Sequence, residues 1–290
     1  MAALENSILS ADTITALDAE WNHNFDQELD QLQQVLGIFA PEVMTAGTAL
    51  YRRKITGALN DAAVAEGDIV PLSHYKTDKT AIGAVDIKPY ATFTSLQAMN
   101  AQGVAAALRT DGKFMKDIRS GILANFYSAL ASASTGTATG TTLQAVLAQA
   151  DAKLGATMED NADAADRVIH FVNTYDIADY LATATVTVQT LFGMQYLADF
   201  LGVQNIVMTN KVAKGTVIVT PAENIHVYAA DLNAASTGEL VYAVSESGVI
   251  GVAHKADYDR VGVRTNVVTG MRIEPEITDY IVKGTIAPSA

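Results

Sequence analysis

Cysteine is absent from this chain, which excludes disulfide bonds, thiolate metal sites and cysteine nucleophiles. The sequence also has no apolar run of about 18 residues, and no basic segment leads into an apolar stretch at its start, so we expect neither a membrane span nor a signal peptide. Bases are scarce, because 19 Lys and Arg stand against 32 Asp and Glu, a formal charge of −13. That charge opposes binding to nucleic acid through neutralised phosphates.

Sequence patterns typical of enzymes are missing as well. The five histidines lie in unrelated segments, without HExxH or a comparable ligand spacing. There is no GxGxxG after a predicted strand, no phosphate-binding GxxxxGK(S/T) and no GxSxG. His170 and His226 alternate with apolar neighbours in predicted strands and are the first to examine beside any pocket. We therefore predict no catalytic residue, no cofactor and no metal site, and a protein that is not an enzyme.

A hydrophobic content of 49% with 18% charged residues predicts a well-packed globular chain. Residues 1–51 contain eight acids and no Lys or Arg, and apolar residues recur there every three or four positions. This spacing predicts an amphipathic helix that stops near Gly37. Its apolar stripe packs either on the chain's own body or on another subunit. The stripe consists of Ile14, Leu17, Trp21, Phe25, Leu29, Leu32 and Leu36.

Residues 51–94 predict a long hairpin. The segment begins with three bases, passes through the turn residues Gly57, Asn60 and Asp61, and ends in an alternating stretch. In that stretch one parity is apolar, which predicts a strand with one covered face formed by Val85, Ile87, Ala91 and Phe93. A two-stranded excursion is at best marginally stable in water, so we expect another surface to cover it.

The segment 95–132 has helical periodicity and predicts one long helix, in which Gly103 and Gly112 mark possible kinks or a break. Residues 132–142 are small and polar and predict a flexible connection. Beyond them the pattern mixes helices and short strands as in an α/β subdomain, and the end of the chain is rich in strands. Predicted helices begin near Leu143, Thr174 and Thr190, and predicted strands cover 167–173, 203–209, 215–221 and 224–230.

This order of segments resembles the major capsid proteins of tailed bacteriophages, the Hong Kong 97 type. The resemblance covers nearly the entire chain and is carried locally by EGDIVPLS before the alternating strand and by the closing EPEITDYIVKG. It implies an α+β fold in five segments. These are an N-terminal arm at 1–50, an E-loop hairpin at 51–94, a P-domain spine helix at 95–134, an A-domain at 135–255 and return strands of the P-domain at 256–290.

The resemblance further implies a shell subunit that assembles with itself into pentamers and hexamers of an icosahedral head, enclosing double-stranded DNA without sequence-specific binding. No long charged leader precedes the arm, so we expect scaffolding to come from a separate protein. A portal protein and a decoration protein are the other implied partners. The location implied is the virion, after assembly in the cytoplasm of a bacterial host.

Arm and hairpin are the segments least able to bury themselves, so we predict that they supply the contacts between subunits. The predicted contact residues are Trp21, Phe25, Leu29, Leu32, Arg52, Arg53, Lys76, Lys79, Val85, Ile87 and Lys88. Two alternatives stay open. An encapsulin-like nanocompartment shell would share the fold and enclose enzymes, whereas a cytoplasmic α/β enzyme would have its site around strand 167–173.

Overall fold

The computed structural model describes residues 10–36, 38, 40–102, 105–181, 189–191, 194–200, 203–232 and 242–287. Five α-helices lie in these ranges: α1 (Ser10–Leu36), α2 (Leu96–Gln102), α3 (Ala105–Ala133), α4 (Leu143–Asp160) and α5 (Thr174–Leu181). The helix predicted for 95–132 is therefore present as α2 and α3, with residues 103 and 104 outside the described residues. Thr142 caps α4, since its side-chain oxygen accepts a hydrogen bond from the backbone N–H of Ala145.

Sixteen strands in these ranges form four sheets. The strands of the first half of the chain are β1 (Glu42–Met44), β2 (Ala49–Ala58), β3 (His74–Ala84), β4 (Lys88–Ser95), β5 (Gly136–Gly140), β6 (Val168–Asn173), β7 (Gln189–Leu191) and β8 (Met194–Phe200). The others are β9 (Val203–Thr209), β10 (Thr216–Pro221), β11 (Ile225–Ala230), β12 (Ala243–Val244), β13 (Ile250–Asp257), β14 (Gly262–Thr269), β15 (Arg272–Pro275) and β16 (Val282–Ile286).

The largest sheet has seven strands in the order β5-β16-β10-β6-β9-β8-β7. Its central strands are almost continuously apolar because both faces are covered. In β6, Ile169 and Phe171 join the main core with α3, whereas Val172 faces the other way into a second core with α4. The same alternation sends Ile218 to the main core and Val217 to the second one. The sheet thus separates two hydrophobic layers.

Two smaller sheets complete the body. One has the order β12-β13-β14-β4, and the other has the order β1-β11-β15. Buried residues of β13, β11 and β15 contribute to the main core together with α3. The five-segment division stays a prediction, although β16, from the segment 256–290, lies in the same sheet as strands from 135–255.

Three local predictions are wrong. Residues 136–140, predicted as part of a flexible connection, form β5, which pairs in parallel with β16. Residues 190–201, predicted as a helix, contain β8 and the end of β7, which pair with each other as antiparallel strands. The alternating stretch leaves the hairpin, because β4 pairs with β14, and within β4 Tyr90 and Thr94 are more covered than Ala91. The predicted parity therefore fails at Ala91, which is exposed, while Phe93 is partly buried like its neighbour Thr92.

Candidate assembly interface

The hairpin of β2 and β3 is the least covered large element of the described chain. Its strands pair over ten residue pairs, from Ala49 with Ala84 to Ala58 with His74, and no third strand from the described residues joins their sheet. Eight successive residues of β3, from His74 to Ala81, are exposed on both faces. A two-stranded ribbon of this kind gains little stability in water from its own contacts.

The hairpin tip, defined here as residues 59–75, is exposed and carries large apolar side chains beside the acids Asp61, Glu66 and Asp68. Six of the thirteen large apolar side chains exposed in the described residues lie in this tip. Ile69 is 94% exposed and Leu72 is 79% exposed, although both are large aliphatic residues. The others in the tip are Leu59, Val64, Val70 and Tyr75. An apolar cluster concentrated at one protruding end is a feature of surfaces that bind another molecule.

The base of the hairpin is held to the body by charged groups. Arg52 donates to Glu274 Oε2 at 3.2 Å and to the Pro275 carbonyl at 3.0 Å. Arg272 donates to Glu274 Oε1 at 2.7 Å and to the Ile82 carbonyl at 2.6 Å. Glu274 is buried, and its carboxylate accepts hydrogen bonds from two guanidinium groups, so the buried negative charge is compensated. This network links β2 and β3 to β15.

Apolar contacts reinforce the same base. Leu50 and Val85 are buried with Ala230 of β11, and Ile82 and Ile87 pack against them. Of the predicted contact residues, Val85 and Ile87 therefore belong to this small internal cluster. Val85 is fully buried in the chain and Ile87 is partly buried. Their side chains fix where the hairpin leaves the body.

The predicted basic contact residues differ in their surroundings. Lys76 is exposed and pairs with Asp78 of the same strand at 2.6 Å, and the hydrogen bond and charge of Asp78 raise the pKa of Lys76. Lys79 is exposed on the hairpin, and Lys88 lies at a cavity of about 450 Å³ beside the hairpin base. The side chain of Arg53 lies outside the described residues. Whether these groups contact a neighbour stays a prediction, since the structure contains one chain.

The four predicted contact residues of α1 lie in the chain's own core. Trp21 is 5% exposed, Phe25 is fully buried, and Leu29 and Leu32 are each 1% exposed. They pack in the main core together with buried residues of α3 and β13. In this structure these four side chains therefore pack on the chain's own body, which is the first of the two alternatives predicted for α1. A contact of these four with a neighbour would require α1 to leave the body, which a single chain does not test.

A buried charged cluster fastens α1 near its first turns. His254 Nδ1 contacts Asp18 of α1, and His254 Nε2 lies 3.0 Å from Asp111 Oδ2 of α3. The Thr265 hydroxyl donates to the other oxygen of Asp111 at 2.9 Å. Sequence reasoning missed this cluster, since its members are 93 or more residues apart except for His254 and Thr265. The one signal in the sequence was the excess of acidic residues in 1–51, which suggests that a positively charged group lies on the surface facing them.

The two histidines singled out from the sequence also have carboxylate partners. His170 Nε2 lies 2.5 Å from Asp151 at a cavity of about 660 Å³, and His226 lies 3.0 Å from Glu276. Within the described ranges no three His, Asp or Glu side chains are arranged to hold a metal ion. No helix in the described part of the chain is both long and apolar enough to cross a bilayer.

The sequence matches no protein-family model and no curated protein. Solved structures do share its fold. The cyanophage A-1(L) capsid protein aligns with a TM-score of 0.54 and 12% identity, over 89% of this chain and 93% of its own. The SrpI encapsulin of Synechococcus elongatus PCC 7942 aligns with a TM-score of 0.52 and 11% identity, over 99% and 93%. The expected similarity to the Hong Kong 97 type of fold is thereby confirmed, and identities this low establish the fold alone.

Proposed function

We propose that this chain, whose fold is that of a phage capsid protein and of an encapsulin, is the major capsid protein of a tailed bacteriophage. It acts as a structural subunit and assembles with copies of itself into pentamers and hexamers of an icosahedral head that encloses double-stranded DNA. The observation that carries the proposal is the β2–β3 hairpin, which projects an exposed apolar tip from a firmly anchored base.

The tip gives self-association a driving force. Covering roughly 1,500 Å² of apolar surface on neighbouring subunits would contribute tens of kcal/mol gross at about 25 cal/mol per Å², before the costs of association. A head-to-tail contact of this kind, repeated around an axis, closes into rings. The hairpin of one subunit would lie over the body of the next, with Lys76 and Lys79 facing carboxylates there. Such exposed pairs orient an interface more than they stabilise it.

The proposed partners follow from this role. The subunit binds itself, a separate scaffolding protein, a portal protein and a decoration protein, and it resides in the virion after assembly in the bacterial cytoplasm. It encloses DNA without binding it tightly, because a chain with a formal charge of −13 repels phosphate groups on average. Containment by the shell requires no base-specific contact.

The test is electron microscopy of the purified full-length chain under assembly conditions, where shells, tubes or ring-shaped capsomers are expected. A tip variant carrying Ile69→Ser, Val70→Ser and Leu72→Ser should leave circular dichroism and thermal unfolding unchanged, since these side chains are exposed. It should abolish or greatly weaken assembly. A matched variant with Ile69→Val, Val70→Ile and Leu72→Met keeps the tip apolar and should assemble normally. Wild-type assembly by the serine variant would refute the role of the tip.

An encapsulin-like nanocompartment shell is the second candidate, because the SrpI encapsulin aligns over 99% of this chain. The two candidates share self-assembly and differ in what the shell encloses. Particles isolated from the native source should contain nuclease-protected double-stranded DNA if the chain is a capsid protein. A protein cargo of fixed stoichiometry without DNA would favour the nanocompartment.

A further inference from the structure

His254 lies at the junction of three elements and is almost completely enclosed. Its side chain is 1% exposed, between Asp18 of α1 at 13% and Asp111 of α3 at 5%. Asp18 also accepts a hydrogen bond from the His254 backbone N–H at 3.1 Å. Both ring nitrogens therefore contact a carboxylate, and both can donate only when the ring is protonated.

The charges of this cluster favour a cationic ring. Burial alone would lower the pKa of His254, but the hydrogen bonds and charges of Asp111 and Asp18 outweigh it and raise the pKa from 6.5 to about 9. At neutral pH the ring is then an imidazolium between two carboxylates. Without its proton, the two carboxylates would be enclosed with no cation between them, which is a costly arrangement.

The other charged groups described on the elements around His254 are exposed or bind other partners. On β13 the next residue, Lys255, is exposed, and its partner across the ladder, Arg264 of β14, is exposed as well. β14 offers the Thr265 hydroxyl to Asp111, and the short strand β12 has no titratable residue. Asp26, two turns along α1 from Asp18, accepts a hydrogen bond from Ser247 Oγ at 2.5 Å. Among the side chains that the structure describes, Asp18 and Asp111 are the carboxylates that contact the ring.

We propose that the protonated His254 ring is an ionic latch that holds the N-terminal half of α1 on the body, and that removing its proton releases this half of the helix. The latch lies within one chain, so it does not rest on the proposed function. Its folded pKa is raised, so the stabilisation is complete below pH 6.5, declines above that value and is lost as the pH passes about 9. Release would uncover Trp21, the buried apolar residue one turn from Asp18.

Trp21 reports directly on this event. It is the only tryptophan of the chain, it lies one turn from Asp18, and it is 5% exposed. The experiment records its emission from pH 6 to pH 10 on the full chain, at a concentration where light scattering shows no assembly. We expect emission to stay at short wavelength near neutral pH and to shift to longer wavelength by pH 9 to 10, reversibly.

Three variants test the assignment. His254→Gln cannot be protonated, so its emission should be at longer wavelength already at pH 6.5 and independent of pH. Asp18→Asn removes one of the two carboxylates and should move the transition to lower pH. His23→Gln is the matched control, because His23 is exposed on the same helix, and it should behave as the wild type.

Two results would overturn the latch. One is a wild-type emission that does not change up to pH 10, and the other is an Asp18→Asn profile that coincides with the wild type. If His254→Gln does not fold, as judged by circular dichroism, Asp18→Asn and the wild type still decide. Failure of shell assembly would leave this measurement unaffected.

Discussion

Phe25 shows how α1 is held on the body of the chain. Its ring stacks on Trp21 with 6.1 Å between the centroids and an interplanar angle of 2°, and its side chain has no exposed surface. Glu28, one turn further on, forms an ion pair with Arg119 of α3. Packing and charge thus act on the same face of α1. The helix is part of the main core in the isolated chain.

Phe25→Ala should lower the free energy of unfolding of the unassembled chain by about 3–5 kcal/mol, the usual cost of removing a buried phenylalanine. Urea denaturation followed by circular dichroism measures this loss. Asn24→Ala is the control, because Asn24 is exposed on the same turn, and it should change stability by less than about 0.5 kcal/mol. An unaltered midpoint for Phe25→Ala would mean that the stripe packs only against a neighbour.

The stripe of α1 could be predicted from its spacing, but its partner could not. A helical period identifies which residues share a face, and it carries no information on whether the covering surface belongs to the same chain. The same limit applied to His254. His254 lies between Ala253 and Lys255 in a strand, and no local pattern there reveals Asp18 and Asp111, since both approach it from distant segments.

Among the elements, segments with one clear period were predicted well. Segments with few apolar residues, or with a sequence that fits both the helical and the strand period, were not. The helices α1, α4 and α5 and the strands β6, β9, β10 and β11 were all expected near their observed places. β5 was missed because Gly136–Gly140 has only one buried apolar residue, Ala138, and owes its extended form to pairing with β16. β8 was taken for a helix because MQYLADF fits both periods, and pairing with β9 decided between them.

The base of the hairpin contains a glycine in a backbone conformation that L residues rarely adopt. Gly83 has φ of +121°, and a Cβ added there would lie 2.5 Å from Nη1 of Arg272. Gly83→Ala should therefore destabilise the chain by about 1–3 kcal/mol through backbone strain and displacement of the guanidinium. Thermal unfolding measures this change. Gly112→Ala, in the exposed interior of α3 with open space around it, should instead stabilise by about 1 kcal/mol.

If Gly83→Ala were as stable as Gly112→Ala, the hairpin base would be adaptable and the direction of the hairpin would not be set there. The comparison is well matched, since both substitutions add one methyl group to a glycine. It isolates the backbone conformation from the general effect of replacing glycine. A rigid base matters for the proposed assembly, because a tip that points in one direction loses less freedom on binding a neighbour.

At the scale of the whole molecule, segment order predicted the fold better than local patterns predicted each element. The fold that this order predicted is shared by two solved structures, the cyanophage A-1(L) capsid protein and the SrpI encapsulin, at only 11–12% identity. Two sequences with one fold can differ this much because a core requires apolar side chains of suitable volume at given positions and tolerates exchange of one apolar residue for another. Contacts between subunits could not be predicted in the same way, since they depend on surfaces of two chains at once.

Net charge supplies the last test of how those surfaces meet. Subunits with a formal charge of −13 repel one another, whereas burial of the apolar tip is insensitive to screening at moderate salt. Raising the ionic strength from about 0.01 M to about 0.15 M shortens the screening length from about 30 Å to about 8 Å. The concentration needed for assembly, followed by light scattering, should therefore fall as salt is added.

A rise in that concentration would point to attraction between opposite charges as the main force of assembly. In that case the double variant Lys76→Gln and Lys79→Gln, which removes two exposed bases of the hairpin, should assemble much less readily and lose most of the salt dependence. If the apolar tip is the main force, the same variant should assemble within a few-fold of the wild-type concentration, because exposed ion pairs contribute about 0–1 kcal/mol each. The two measurements together assign the assembly free energy to either the tip or the lysines.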